Sequence, residues 1–258
     1  MTCAVIIPAR FGSTRFPGKV LMRSPSGKPL IQYAWEAAAR AEGVDETLVA
    51  TDDERIAEAV RAFGGEARMT QSAHPSGSDR CAEVARGLRH DCVVNLQADE
   101  AGILPEMISQ TVRLLREDPE CEMSTLACRI RDESELTDPG VVKVVLDRRS
   151  RALYFSRAVI PHVRGAGSPL RESPVPHLRH HGIYGYRREA LLAFAALPPH
   201  PLEQAERLEQ LRALANGYKI TVGVTPHRTL KVDTREDFEA FCAAERKRIQ
   251  TGLQDQPA

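Results

Sequence analysis

The sequence lacks the features that would point to several common classes of protein. Its 35 basic and 35 acidic residues balance, so no net charge draws it to nucleic acid or to an anionic membrane surface. No uninterrupted apolar run approaches the length of a membrane span. The six cysteines form no C-x-x-C pair and have no histidine at zinc-finger spacing, which predicts reduced, mostly buried thiols. We therefore expect no nucleic-acid partner and no membrane partner.

The N-terminus also lacks the basic segment that opens a secretion signal. Its short apolar stretch, residues 4–7, runs directly into a polar loop, and we interpret it as the first strand of a cytoplasmic protein. The length of 258 residues suits one large α/β domain with a subordinate lobe. We expect a single domain over residues 1–249, a smaller lobe at about 125–190, and a polar tail at 250–258.

Apolar runs and helical patterns alternate along the chain. Five segments read as strands, namely residues 4–7, 47–51, 92–96, 141–146 and 220–224. Five read as helices, namely residues 30–40, 53–63, 79–88, 105–116 and 201–215. Residues 162–176 are rich in Pro, Gly, Ser and Arg, which predicts a mobile loop. The alternation predicts an α/β fold with a mostly parallel sheet, helices on both faces, and ligands beyond the carboxyl ends of the strands.

The loop after the first strand, residues 8–19, combines three cations with two glycines and two hydroxyl groups. Arg10, Arg15 and Lys19, with backbone N–H groups, form a plausible cradle for a polyphosphate. The spacing is not that of a Walker A loop, and no G-x-G-x-x-G motif is present. On spacing alone, phosphate binding and a solvated basic loop both remain open.

Carboxylates follow the strand at 92–96 and recur far downstream. Asp99 and Glu100 end that strand, and Asp233 follows Val232. Two carboxylates at the carboxyl edge of a sheet could hold Mg²⁺, which prefers hard oxygen ligands. A helix cap or a surface charge is the commoner role of a single acidic residue, and Asp233 before Thr234 fits a cap as well.

Two further groups of polar residues are candidates for substrate contacts. Residues 74–80 form a small polar loop that could wrap a base or a sugar, or could be a plain turn capped by Ser78. Arg, His and Tyr recur at 155–157, 180–187 and 208–212, as expected for recognition of an anionic, hydroxylated substrate. A lone histidine or tyrosine is more often structural. No Ser-His-Asp arrangement occurs at a nucleophile elbow.

Taken together, these stretches resemble the cytidylyltransferases of the CMP-KDO synthetase family, which activate 3-deoxy-manno-octulosonate (KDO) with CTP. The likeness covers about residues 4–245 and keeps the family's order. The matching motifs are Ile6-Ile7-Pro8-Ala9-Arg10, Ser13-Thr14-Arg15, Pro17-Gly18-Lys19, His74-x-Ser76-Gly77-Ser78-Asp79-Arg80, Gln97-x-Asp99-Glu100, Val142-Lys143-Val144-Val145, Phe155-Ser156-Arg157-Ala158-x-Ile160-Pro161, His180-x-Gly182-Ile183-Tyr184, Leu208-Glu209-Gln210-Leu211-Arg212 and Val232-Asp233-Thr234.

The resemblance implies a nucleotide-diphospho-sugar transferase fold, Mg²⁺ as cofactor, and a homodimer built through the second half of the chain. It implies that the nucleotide is bound by Pro8, Ala9, Arg10, Ser13, Arg15, Lys19, Ser76, Gly77, Ser78 and Arg80. It implies that the acceptor is bound by Gln97, Arg157, His180, Tyr184, Glu209 and Gln210. Arg10, Lys19 and Asp99 would be catalytic, and Asp99 and Asp233 would bind the metal.

The sequence departs from the family's pattern around the acceptor. Ala98 and Ala101 replace a glycine and a proline, and Leu230-Lys231 stand where a glycine is common. His162 takes the place of an aromatic residue, and Ala73 that of an acidic one. These changes leave a small phosphonate such as phosphonoformate as an alternative acceptor to KDO. A non-catalytic CTP sensor is a remote alternative, disfavoured by the retained Lys19, Asp99 and Asp233.

Overall fold

A mixed sheet of nine strands forms the centre of residues 1–12, 16–165 and 167–251, which a computed structural model describes. Its strands are β1 (Cys3–Ala9), β2 (Glu46–Thr51), β3 (Glu66–Met69), β4 (Cys92–Leu96), β5 (Met123–Arg129), β6 (Lys143–Leu146), β7 (Ala152–Ser156), β8 (Leu178–Arg187) and β9 (Ile220–Val224). The α-helices are α1 (Leu30–Ala39), α2 (Glu54–Ala62), α3 (Gly77–Arg86), α4 (Pro105–Glu117), α5 (Glu133–Thr137), α6 (Pro169–Glu172), α7 (Arg188–Ala195), α8 (Pro201–Glu206), α9 (Gln210–Ala215) and α10 (Arg235–Thr251).

The main path of the sheet has the strand order β3-β2-β1-β4-β8-β5-β9. Strands β1 to β4 are parallel, and so are β5 and β9, whereas β8 is antiparallel to β4, β5 and β6. The mostly parallel α/β sheet is thus confirmed. The carboxyl ends of β1, β4, β5 and β9 lie at one edge, as the direction of the strands requires.

Helices cover both faces of the sheet. Val5 and Ile7 of β1 belong to the core beneath α1, α2 and α4, while Ile6 between them packs in the opposite core with residues of α3 and α7. Side chains alternate between faces along a strand, so a strand covered on both sides must be apolar throughout. All seven residues of β1 are buried for this reason.

The predicted lobe at 125–190 is only partly separate from the main sheet. Its segments β5 and β8 are central strands, and β8 lies between β4 and β5. Only the hairpin of β6 and β7 stands off the main path, where β6 pairs with one end of β8. The strands β3, β5, β7 and β8 had not been predicted. The predicted loop at 162–176 contains the short helix α6.

One predicted helix in the second half was wrong. The single helix expected over 201–215 is divided into α8 and α9, because Arg207 adopts a left-handed conformation with φ 54°. Helix α10 continues to Thr251, and residues 252–258 of the predicted polar tail lie outside the described part of the chain. Among the described residues, no helix combines the length and apolar character needed to cross a bilayer.

Candidate active site

Lys19 lies at the centre of the site, on a short 3-10 helix (Lys19–Leu21) that follows the loop after β1. Gly18 before it has φ 70°, and its backbone N–H donates to the Phe11 carbonyl at 2.9 Å. A Cβ atom at Gly18 would lie 3.1 Å from the Phe11 ring, so glycine suits both the conformation and the close approach. The turn places Lys19 at the carboxyl edge of the sheet, where the residue is only 8% exposed to solvent.

The ammonium group of Lys19 joins two carboxylates that are far apart in the sequence. Its Nζ donates to Asp99 Oδ2 at 2.7 Å, to Asp233 Oδ1 at 3.0 Å and to the Val232 carbonyl at 2.9 Å. The Val232 N–H donates to the Asp99 carbonyl at 2.9 Å, which ties the two acidic loops together. The expected convergence of Asp99 and Asp233 at the strand ends is therefore observed.

The two carboxylates fit the donor set of a hard divalent cation. Asp99 Oδ1 is buried and has no hydrogen-bond partner within the described residues, so it has an acceptor to offer. Mg²⁺ is typically held by one or two carboxylates together with substrate phosphates. No group of three or more acidic, histidine or cysteine ligands occurs in the described ranges, so a cation here would need substrate oxygens as well.

A second cation, Lys231, borders the same carboxylates. Its Nζ lies 3.1 Å from Asp233 Oδ2 and 3.8 Å from Asp99 Oδ2. Burial alone would lower the pKa of Lys231, but the surrounding carboxylates of Asp99, Asp233 and Glu100 raise it. Burial would likewise raise the pKa of Asp233, but Lys231 and Lys19 hold it well below its usual range. The departure at position 231 thus adds positive charge directly at the candidate metal site.

Beside this cluster, a cavity of about 120 Å³ opens between the end of β1 and the start of α3. The residues that line it are Pro8, Ala9, Arg10, His74, Pro75, Ser76, Gly77, Arg80 and Gln97. Gly77 allows the walls to approach, since a Cβ there would lie 3.1 Å from both Gln97 Nε2 and Pro8 Cγ. The structure therefore brings together most of the predicted nucleotide-binding residues and Gln97 of the predicted acceptor set.

The loop at the entry of α3 is held in place by polar contacts. Ser76 caps the helix by accepting the Asp79 N–H at 3.2 Å, and His74 pairs with Glu83 on the same helix. Arg80 is 4% exposed and its guanidinium lies 3.2 Å from Asp52 at the end of β2. Arg80 thus borders the cavity while anchoring α3 to the sheet. The predicted contacts Ser13 and Arg15 lie outside the described residues.

The rings of His180 and Tyr184, both on β8, lie 5.2 Å apart with their planes tilted by 42°, and the ring of Phe155 makes an edge contact with His180 at 5.0 Å. The Thr125 hydroxyl lies 2.9 Å from His180 Nε2. Burial lowers the pKa of His180 to about 3, with the neighbouring His181 adding to the effect. His180 is therefore neutral at physiological pH, which suits a hydrogen-bonding role better than that of a cation.

Arg157 is fixed by the end of α8. Its Nε donates to the Glu206 carbonyl at 2.7 Å and its Nη1 to the Pro139 carbonyl at 2.8 Å, while Glu206 Oε2 accepts its backbone N–H at 2.9 Å. The left-handed residue Arg207 ends α8 at this point. The break in the predicted helix therefore creates the support for Arg157.

The start of α9 faces the start of α3. Ser78 donates to Glu209 Oε2 at 2.7 Å, which links a predicted nucleotide-binding residue to a predicted acceptor-binding one. Gln210 is the first residue of α9 and is 4% exposed. Asn95 on β4, which the sequence analysis missed, lies between Ser78 and Gln97 and hydrogen-bonds to both. Its only sequence signal was a polar residue within an otherwise apolar central strand.

The fold and this site define a cytidylyltransferase: the model of the family described as "Cytidylyltransferase" matches residues 4–220. A 3-deoxy-manno-octulosonate cytidylyltransferase from Geobacter sulfurreducens is 48% identical over 244 residues, 93% of this chain and 97% of the relative. One from Syntrophotalea carbinolica is 49% identical over 241 residues, 92% of this chain and 96% of the relative. The chain therefore belongs to the CMP-KDO synthetase family, and the resemblance inferred from its motifs is confirmed.

Solved structures agree with this assignment. A structure of CMP:2-keto-3-deoxy-manno-octonic acid synthetase complexed with CTP superposes with a TM-score of 0.89 at 41% identity, covering 96% of this chain and 99% of that one. The 4-diphosphocytidyl-2C-methyl-D-erythritol synthase of Anaerococcus prevotii superposes with a TM-score of 0.62 at 16% identity, covering 96% and 99%. The second likeness shows the fold alone.

Proposed function

We propose that this protein transfers the cytidylyl group of CTP to KDO, with release of pyrophosphate. The observation that carries the proposal is the contact of Lys19 with both Asp99 and Asp233 beside a cavity lined by Arg10 and Gln97. An acceptor oxygen attacks the α-phosphorus in line and pyrophosphate leaves. Positioning and neutralisation of phosphate charge supply most of the catalysis of such a transfer.

The nucleotide side of the site is the loop after β1 together with the entry of α3. Arg10 and Lys19 carry the positive charge that the triphosphate requires, and the backbone of Pro8 and Ala9 lines the same cavity. Ser76 and Gly77 form the opposite wall, where the base would lie. Ser78 supports this wall from within, since its hydroxyl is turned toward Glu209.

Asp99 and Asp233 would hold Mg²⁺, and Asp99 Oδ1 is the buried acceptor that fits this role. When bound, the ion neutralises charge on the phosphate oxygens. Lys19 holds the two carboxylates at one place and brings its own charge to the same oxygens. Arg10, Lys19 and Asp99 are accordingly the proposed catalytic residues.

The acceptor side is formed by residues from β4, β8, α9 and the β7 end. Gln97 lines the cavity directly, and the neutral His180 with Tyr184 supplies hydrogen-bonding groups on β8. Arg157, Glu209 and Gln210 complete the proposed set, where the guanidinium provides the charge for a carboxylate. KDO is favoured because the similar relatives are KDO cytidylyltransferases at 47% to 49% identity.

We also propose a homodimer formed through the second half of the chain. Leu153 on β7 is 62% exposed, and an apolar side chain of this size on a protruding hairpin is suited to an interface. Leu153→Lys should shift the mass measured by light scattering toward a monomer. Leu202→Lys, at a leucine 42% exposed on α8, is the matched control and should leave the mass unchanged.

The proposed reaction is tested by pyrophosphate release from CTP with KDO and phosphonoformate offered side by side, with and without Mg²⁺. Turnover of KDO that requires Mg²⁺ supports the proposal. Turnover of phosphonoformate alone would show that the acceptor is a phosphonate and not KDO. Tight CTP binding without turnover of either acid would indicate a CTP sensor.

A further inference from the structure

A row of hydrogen-bonded polar side chains runs from the cavity wall to the start of α9. Gln97 Nε2 donates to Asn95 Oδ1 at 2.9 Å, Asn95 Nδ2 donates to Ser78 Oγ at 3.2 Å, and Ser78 Oγ donates to Glu209 Oε2 at 2.7 Å. Asn95 and Ser78 are each 2% exposed. The row thus connects two proposed acceptor contacts, Gln97 and Glu209, through Asn95, which has no assigned part in the reaction, and Ser78, which has been assigned only to the nucleotide side.

The carboxylate at one end sets the direction of every bond in this row. An ionised Glu209 only accepts, and Arg212 3.5 Å away provides a cation beside it. The Ser78 hydroxyl therefore donates its single proton to Glu209, and so it can only accept the hydrogen bond from the amide of Asn95. The Oδ1 of Asn95 therefore faces Gln97 and accepts a hydrogen bond from its Nε2. The orientation of the Gln97 amide follows from a charge at the far end of the row.

We infer that Ser78 and Asn95 are positioning residues that fix the amide of Gln97, so that its Oε1 is held as a hydrogen-bond acceptor for a hydroxyl group of the sugar acid. This inference rests on the proposed function, because it takes Gln97 to contact the acceptor. Without the row, the amide of Gln97 can rotate and present N–H donors instead. Buried polar networks define one arrangement of this kind only when every member is satisfied.

The inference is tested by steady-state kinetics on Ser78→Ala, Gln97→Ala and the double variant. Ser78→Ala should raise the KM for KDO about tenfold, as expected when a buried hydrogen-bond partner is lost, and should raise the KM for CTP by a clearly smaller factor. Since Ser78 acts through Gln97, the double variant should be no worse than Gln97→Ala alone. Ser78→Thr keeps the hydroxyl and should retain most of the affinity for KDO.

Calorimetric titration with CTP and thermal unfolding serve as controls that establish whether each variant is folded. A rise in the KM for CTP equal to that for KDO would overturn the inference, because Ser78 would then serve the nucleotide or the fold. Additive losses in the double variant would overturn it as well, while leaving the proposed function intact. A wild-type protein that does not turn over KDO would refute the proposed function, and the inference with it.

Discussion

The replacement Asp99→Asn separates catalysis from stability at the centre of the site. Asn has almost the same shape as Asp, and its side-chain oxygen can still accept from Lys19 Nζ, which lies 2.7 Å from Asp99 Oδ2. The change removes one negative charge from a cluster that also contains Asp233, Glu100, Lys19 and Lys231. The fold therefore keeps its hydrogen bond, whereas the proposed metal site loses half of its charged ligands.

We expect turnover to fall about 100-fold to 1,000-fold, or about 3 to 4 kcal/mol of transition-state stabilisation, as when one preorganised electrostatic group is removed. The free energy of unfolding should change by less than about 1 kcal/mol, since no packing is lost and like charges beside Glu100 are relieved. Turnover is measured by pyrophosphate release at saturating CTP and Mg²⁺, and stability by urea denaturation.

The matched control is Asp45→Asn, at the opposite edge of the sheet, where Asp45 Oδ2 accepts the Cys3 N–H at 2.7 Å. It makes the same chemical change outside the site, so turnover should stay within about twofold of the wild type. Turnover by Asp99→Asn within tenfold of the wild type would refute the assignment of Asp99. A stability loss as large as the catalytic one would show that Asp99 serves mainly the fold.

Three further predictions follow from single contacts. Gly77→Ala places a Cβ 3.1 Å from Gln97 Nε2 and should lower kcat/KM for the acceptor about tenfold, with little change in the free energy of unfolding. The control Gly87→Ala, at the other end of α3, should leave both kcat/KM and the free energy of unfolding nearly unchanged. Lys231→Gly removes a competing cation and should tighten Mg²⁺ binding a few-fold in calorimetry; weaker binding would contradict this. His180, with its pKa lowered to about 3, favours folding in the neutral form, so its stabilisation is complete above the unfolded pKa and is lost as pH falls toward 3. Between about pH 7 and about pH 4.5, the free energy of unfolding of the wild type should therefore fall by about 2 to 3 kcal/mol more than that of His180→Gln, as measured by urea denaturation. An equal fall in both proteins would refute the lowered pKa.

The parts of the fold that could be predicted from the sequence are those in which one local signal suffices. Strand β4 is apolar except for Asn95, β9 consists of Ile, Val and Thr around Gly223, and both were predicted with their observed bounds. Strand β8 was missed because it mixes fully buried residues with the partly buried, polar His180 and Tyr184, and thus has neither an apolar run nor a regular alternation. The break between α8 and α9 was missed because Arg207, rather than glycine or asparagine, adopts the left-handed conformation there.

In the site as well, the features with a local sequence signal were predicted and those that depend on tertiary contacts were not. Lys19 and Asp99 could be placed at one edge because each follows a strand whose direction was predicted, although they are 80 residues apart. The bond between Ser78 and Glu209 joins residues 131 apart through an antiparallel strand and a helix break, neither of which was predicted. Local sequence patterns therefore locate the charged centre, whereas the contacts that support the proposed acceptor residues are tertiary and cannot be predicted from any local pattern.

The positions of the departures from the family's pattern bear on the choice of acceptor. Ala98 and Ala101 are 5% and 6% exposed, and Ala101 packs with Phe16, Val232 and Phe238 beneath the carboxylates. Neither is among the described residues that line the cavity. His162 is exposed at the surface, outside that lining as well. A pocket adapted to a smaller acid would change the residues that face the ligand, whereas Ala98 and Ala101 are buried outside the cavity lining, His162 lies at the surface, and Lys231 borders the candidate metal site. The structure therefore weakens the case for a phosphonate, which the sequence left only as an alternative to the favoured KDO, and the kinship to KDO cytidylyltransferases is the guide to the acceptor.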